Sequence, residues 1–140
     1  MASLQWIHES PARWDPAKAR IVGGVPAGVF ALECPGEGEL VPGDWWRVEA
    51  EGQVVGYGWL EHTWGDAEIL LAVSPDRRGR GVGTFILEKL ENEARTQGLN
   101  YLCNIVRPNH PEKVAVTRWL RERRFEEAED GYLRRSIKDQ

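Results

Sequence analysis

The apolar run 67–74 ends in a turn that packs three glycines and three arginines into residues 77–83, and a second apolar run starts at once. A plain surface turn needs one or two glycines, so this spacing predicts a backbone that something must approach closely. "AEILLAVS" is mostly apolar, as expected of a strand buried on both faces. From Gly83 onward, Ile86, Leu87, Leu90 and Ala94 recur at helical spacing until Gly98 closes the run. "LNYLCNIV", residues 99–106, reads as a further strand. Strand, helix and strand make a βαβ unit, so residues 67–74 and 99–106 are predicted to be parallel with a right-handed crossover.

The flanking segments predict an otherwise mostly antiparallel sheet. "LQWIH" (4–8) alternates like a short strand, and Asp15-Pro16 supplies a cap and a first helical residue. That helix is expected to stop near Gly23-Gly24, and "VPAGVFAL" reads as a short helical or turn segment before a Pro/Gly-rich acidic loop, 35–44. "WWRVEA" and "QVVGYGWLEH" flank Glu51-Gly52 as a hairpin, and Trp64-Gly65-Asp66 turns the chain again. Residues 112–123 form an amphipathic helix with Val116, Trp119 and Leu120 on one side. "FEEAE" and "YLRRSI" flank Asp130-Gly131 as a last hairpin. The fold class is therefore α/β of the α+β kind, and 140 residues predict a single domain, 1–140.

Composition narrows the function. A net charge of −4 argues against a general nucleic-acid binder, and the basic residues concentrate locally in Arg77, Arg78 and Arg80. Three histidines without ligand spacing argue against a metal site. Cys34 and Cys103 lie far apart with no C-x-x-C spacing and read as reduced packing residues of a cytoplasmic protein. No run approaches a membrane span, and "MASLQWIHES" lacks the regions of a signal peptide.

A glycine turn running into a helix N-terminus suits phosphate oxygens, because its amides converge and the helix dipole adds positive potential. The chain holds no Gly-Lys pair for a P-loop, and Gly79, Gly81 and Gly83 alternate, so the G-x-G-x-x-G dinucleotide fingerprint fails as well. The stretch Arg78-Gly79-Arg80-Gly81-Val82-Gly83, preceded by "LAVSPD", instead resembles the Q/R-x-x-G-x-G/A motif of the GNAT acyltransferases (GCN5-related N-acetyltransferases). The element order matches that family too, well from about 45 to 128 and weakly before.

The resemblance implies a GNAT fold, in which a central parallel pair splays around an acyl-CoA and helices flank the sheet. Acetyl-CoA would lie between strands 67–74 and 99–106, its pyrophosphate on the amides of Arg78, Gly79, Arg80, Gly81, Val82, Gly83 and Thr84. Its pantetheine arm would pair with backbone groups of Leu71, Ala72 and Val73, and one of those amides would polarise the thioester carbonyl. The family's tyrosine on the last helix is absent. In "WLRERRF", Leu120 takes its place, Trp119 takes the place of Phe, and Arg124 replaces the usual Gly. Leu120 is expected to face the CoA sulfur, leaving water, Tyr101 or Tyr132 to supply a proton.

An amine acceptor needs a base, since an alkylamine of pKa about 10.4 is only roughly one part in 10³ free base at neutral pH. The candidates are Glu61, His62 and Glu68. Glu33, Glu37, Glu39, Asp44 and Glu61 are expected to border the acceptor side and favour a cation, and Trp45, Trp46, Trp59 and Trp64 to wall a pocket, with about half of them core. The leading expectation is transfer of an acetyl group from acetyl-CoA to a primary amine of a small molecule or peptide, with no metal, nucleic acid or membrane partner, and with a homodimer compatible. The alternatives are a non-catalytic acyl-CoA sensor that contacts a protein partner and, behind it, a nucleic-acid-binding turn.

Overall fold

The computed structural model describes residues 3–22, 38–41, 43–104, 113–127 and 132–137. Its elements are β1 (Leu4–Glu9), α1 (Pro16–Ile21), β2 (Asp44–Ala50), β3 (Gln53–Thr63), β4 (Asp66–Val73), α2 (Val82–Thr96), β5 (Tyr101–Asn104), α3 (Lys113–Glu122), β6 (Glu126–Glu127) and β7 (Leu133–Ser136). They form a seven-stranded sheet in the order β1-β2-β3-β4-β5-β7-β6. Only β4 and β5 pair in parallel among the described strands. The expected βαβ unit and antiparallel surroundings are thus present. The segments 25–32 and 105–106, residues 35–37 and 42 of the 35–44 loop, and Asp130-Gly131 lie outside the described residues.

Local chemistry accounts for the boundaries. Asp15 caps α1, accepting from the Lys18 amide at 2.8 Å, with Pro16 in the first position. The tight turns β2–β3 and β3–β4 place two successive residues in left-handed backbone, Glu51-Gly52 (φ 53° and 76°) and Trp64-Gly65 (φ 52° and 83°). This geometry suits the right-handed twist of the strands they join.

The sheet is covered on both sides. On one face α2 contributes Ile86, Leu87, Leu90 and Ala94, α3 contributes Leu120, and the sheet contributes Trp46, Val48, Leu60 and Ile69. On the other, Ile21 and Val22 of the α1 segment meet Trp45, Tyr57, Trp59 and Ala72. A bulge adjusts β3 to this arrangement. Val48 pairs with Gly56 and Glu49 with Val54, so Val55 is an extra residue. Gly58 lets Trp6 reach the sheet, since a Cβ there would lie 2.6 Å from the Trp6 ring. Trp6 in turn stacks on Trp46 at 5.4 Å with planes 8° apart.

On the α1 side, the fully buried ammonium of Lys18 sits on Glu9, on Asp15 at 3.4 Å and on the Arg13 carbonyl at 2.8 Å. The rings of Trp45 and Tyr57 lie 5.4 and 5.0 Å away. A buried charge is tolerated when paired and hydrogen-bonded in this way.

Candidate active site

Among the described residues, strands β4 and β5 pair through Asp66–Tyr101, Ala67–Leu102 and Glu68–Cys103. One step on, the side-chain amide of the buried Asn104 donates to the Ile69 carbonyl at 2.7 Å. Beyond it β4 runs on to Val73, about four residues or 13 Å of strand.

Backbone direction along this stretch follows from two bonds. The Ser74 amide donates to Val55 of β3 at 2.8 Å, whereas the Ile69 carbonyl points away from β3 to Asn104. By alternation Leu71 and Val73 turn their N–H and C=O groups toward the β5 side, and Leu70 and Ala72 toward β3. Of the three residues expected to pair with an extended ligand, Leu71 and Val73 are oriented for it. Ala72 is not, because its backbone faces Tyr57 in the β3–β4 ladder.

The end of β4 leads into the glycine-arginine turn. One turn of 3₁₀ helix, Pro75–Arg77, leads through Arg78 to Gly79 (φ 77°) and Gly81 (φ 83°), and Gly81 caps α2. The Gly81 carbonyl takes the first helical bond, from the Phe85 amide at 3.0 Å, so the amides of Val82, Gly83 and Thr84 have no intrahelical acceptor. A Cβ at Gly79 or Gly81 would meet nothing within 4 Å, so both glycines serve the left-handed backbone and leave open space above it. Gly83 differs, since a Cβ there would touch the Trp119 ring at 3.4 Å. Arg78 and Arg80 are exposed beside the turn. Asp76 has its carboxyl held below the usual range by the Ser74 hydroxyl, with Arg77 and Arg20 assisting. Open glycines, convergent amides and two arginines fit a diphosphate.

Nearer the start of β4, Glu61 and Glu68 are direct cross-strand partners. Alternation puts both on the α1 face, with Trp59 and Leu70. His62 projects from the other face and bonds Gln97 at the end of α2, so the sheet separates it from the two carboxylates.

Several expectations are corrected. Leu120 is 1% exposed inside the α2-side core and does not face an open cleft. The reason is helical spacing: Val116, Trp119 and Leu120 share a stripe, and its inner edge lies on the sheet beside Phe125. Trp45, Trp46 and Trp59 are all core, while Trp64 is 99% exposed at a hairpin tip, so these four rings do not wall one pocket. Asp44 faces His8 at 3.8 Å, Glu39 is exposed, and Glu33 and Glu37 lie outside the described residues. Tyr101 is exposed at the start of β5, and Tyr132 has the Arg134 guanidinium 5.4 Å from its ring. Asn104 went unnoticed in the sequence. Its one signal was a carboxamide inside the apolar run "YLCNIV". Among the described residues no three His, Cys, Asp or Glu side chains gather as for a metal, and no helix is long and apolar enough to cross a membrane.

Comparison with known proteins gives consistent matches. The model of the acetyltransferase (GNAT) family matches residues 9–128. An L-2,4-diaminobutyric acid acetyltransferase of Nocardia farcinica is 33% identical over 79 residues, 54% of this chain and 41% of that relative. The match thus spans less than half of that relative's length. The ribosomal-protein-S18-alanine N-acetyltransferase of Escherichia coli shares the fold with a TM-score of 0.63 at 20% identity, over 98% of this chain and 94% of that one. N-acetylglutamate synthase of Neisseria gonorrhoeae, solved with coenzyme A and L-arginine, gives 0.68 at 18% identity over 99% of this chain and 34% of its own.

Proposed function

This chain belongs to the acetyltransferase (GNAT) family, and on that premise we propose that it moves an acetyl group from acetyl-CoA to a primary amine of a small molecule or peptide. The observation that carries this reading is the end of β4, where the backbone of Leu71 and Val73 faces the β5 side and the strand runs into the open left-handed glycines of the turn before α2. The relative named for a diamino acid supports an amine acceptor.

Acetyl-CoA, when bound, supplies a thioester whose acyl carbon the amine attacks as the C–S bond breaks. The chain's residues divide the remaining work. The amides of Val82, Gly83 and Thr84 hold the diphosphate, helped by Arg78 and Arg80. Leu71 and Val73 offer backbone groups to the pantetheine arm, and an N–H among them stabilises negative charge on the carbonyl oxygen. Glu61 or Glu68 accepts the proton that the incoming ammonium must lose. The tyrosine of the family pattern is replaced here by Leu120, which is buried in the core. A thiolate of pKa about 8.5 departs without an acid more readily than an alkoxide would.

Incubation with acetyl-CoA, a panel of amines and a thiol reagent tests the reading. Thiol release should depend on amine and rise with pH, and Gly81→Asp should abolish CoA binding in calorimetry by placing a carboxylate in the anion site. Glu61→Gln or Glu68→Gln should lower kcat more than it raises KM. A flat profile from about pH 6 to 9 with both variants unchanged would discard both bases. Tight CoA binding without turnover of any amine would favour the sensor reading.

A further inference from the structure

The turn before α2 carries one residue that its chemistry does not call for. Asp76 places a carboxylate beside Arg77, Arg78 and Arg80, in a turn whose open glycines and convergent amides fit an anion. That carboxylate has the same charge as the ligand. An aspartate side chain also bonds readily to main-chain amides about two or three residues further on, which here reaches to Gly79. Left without another partner, Asp76 would close the turn from within.

The structure gives it that partner. The Ser74 hydroxyl donates to one Asp76 oxygen, and the Arg77 guanidinium lies 3.9 Å from the other. Ser74 is 2% exposed, so solvent does not compete for its hydroxyl, whereas Asp76 is exposed. The serine is fixed from several sides. Its amide donates to the Val55 carbonyl at 2.8 Å, and its carbonyl accepts from the Arg77 amide at 2.8 Å. Its hydroxyl accepts from the Arg20 guanidinium of α1 at 3.5 Å, and Arg20 is anchored in turn on the Val54 carbonyl at 3.1 Å. By alternation Ser74 lies on the α1 face with Ala72, so β3, the end of β4 and α1 meet at one buried hydroxyl. That hydroxyl is also the chief reason why the Asp76 carboxyl is held below the usual range.

We propose that Ser74 and Arg20 are positioning residues for the anion turn: they hold the Asp76 carboxylate on the β3–α1 side and so leave the turn's amides, that of Gly79 first among them, to the coenzyme. The inference rests on the coenzyme reading above. In this role neither residue needs to touch the ligand, because both act through Asp76. An alanine at position 74 would fill the same buried space but release the carboxylate into the turn. Asp76 would then compete twice, by occupying a donor and by setting a like charge beside the diphosphate.

The test is calorimetry of the full chain with CoA on the parent, Ser74→Ala, Asp76→Ala and the double variant, with thermal unfolding of each in the absence of ligand. Ser74→Ala should weaken CoA binding about 10-fold, the size of one well-placed hydrogen bond. Asp76→Ala should bind CoA at least as tightly as the parent. In the double variant the affinity should return to that of Asp76→Ala, while the melting temperature stays as low as that of Ser74→Ala. A merely structural serine would not give this split, since lost stability and lost affinity would then persist together with or without Asp76. Arg20→Met should weaken CoA in the same direction and be relieved by Asp76→Ala, and it carries the same comparison should Ser74→Ala not fold. A Ser74→Ala variant that binds CoA like the parent, or a double variant as weak as Ser74→Ala, would overturn the positioning role and leave the coenzyme reading standing. A parent that does not bind CoA would overturn both.

Discussion

The side-chain amide of Asn104 donates a 2.7 Å hydrogen bond to the main-chain carbonyl of Ile69, one step beyond the described β4–β5 pair Glu68–Cys103. Both residues are buried, and the bond ties the end of β5 to the middle of β4. Asn104→Leu removes the only donor described for that carbonyl and should cost about 1–3 kcal/mol. A shift in the urea midpoint at constant slope reads this out. CoA affinity should fall in parallel as this tie between β4 and β5 is lost. A variant as stable as the parent would show that the carbonyl has found another donor.

Leu120 is packed among Phe125 and the α2-side core. Leu120→Tyr, which restores the residue type of the family pattern, should therefore overpack the core and cost about 1–3 kcal/mol instead of supplying an acid. Thermal unfolding checks the cost, and kcat should not rise. A stable variant with higher kcat would return α3 to the register expected from the family.

Lys18 and Glu9 form a buried ion pair between α1 and β1, with Arg47 at 3.5 Å from the other Glu9 oxygen. Lys18→Met leaves Glu9 short of a partner and should cost about 3 kcal/mol, the low end for breaking such a pair, because Arg47 remains. Adding Glu9→Leu should recover part of the loss. A double-mutant cycle measures the coupling, and additive single effects would count against it.

Tyr57 carries a phenol whose pKa is pushed up by burial and then by the negative charge of Asp15, whose carboxylate it faces at 3.4 Å. The folded state therefore keeps this proton at pH values where the unfolded chain, with an ordinary tyrosine near 10, has lost it. A group raised in the folded state stabilises fully below the unfolded pKa and loses that contribution as pH rises. Above about pH 10 stability should fall by up to about 1.4 kcal/mol per pH unit from this group alone. Tyr57→Phe should remove that slope, so the difference between parent and variant in urea titrations at pH 9 to 11 should narrow as pH rises. A constant difference would place the phenol in contact with water.

Much of the fold was legible in the chain because it depends on neighbours in sequence. Asp15-Pro16 caps a helix, Glu51-Gly52 and Trp64-Gly65 close hairpins, and the spacing of Ile86, Leu87, Leu90 and Ala94 makes a helix face wherever that helix docks. The glycine-arginine turn belongs to the same class. Its left-handed glycines and open amides follow from residues 78–84 alone.

What the chain did not reveal depends on partners distant in sequence. Alternation shows that Glu61 and His62 point to opposite faces, but only the pairing with β4 sets Glu61 against Glu68. The bond from Asn104 to Ile69 joins residues 35 positions apart. The apolar stripe of α3 does not say whether Leu120 meets core or cleft, because that depends on how the helix is rotated over the sheet. Arg123 reads as one charge in a charged run until folding lays it on Trp119 beside Thr84, 39 positions earlier in the chain. Short-range sterics and hydrogen bonding write helices and turns into adjacent residues, whereas a site is made of contacts whose geometry exists only after the sheet has chosen its order.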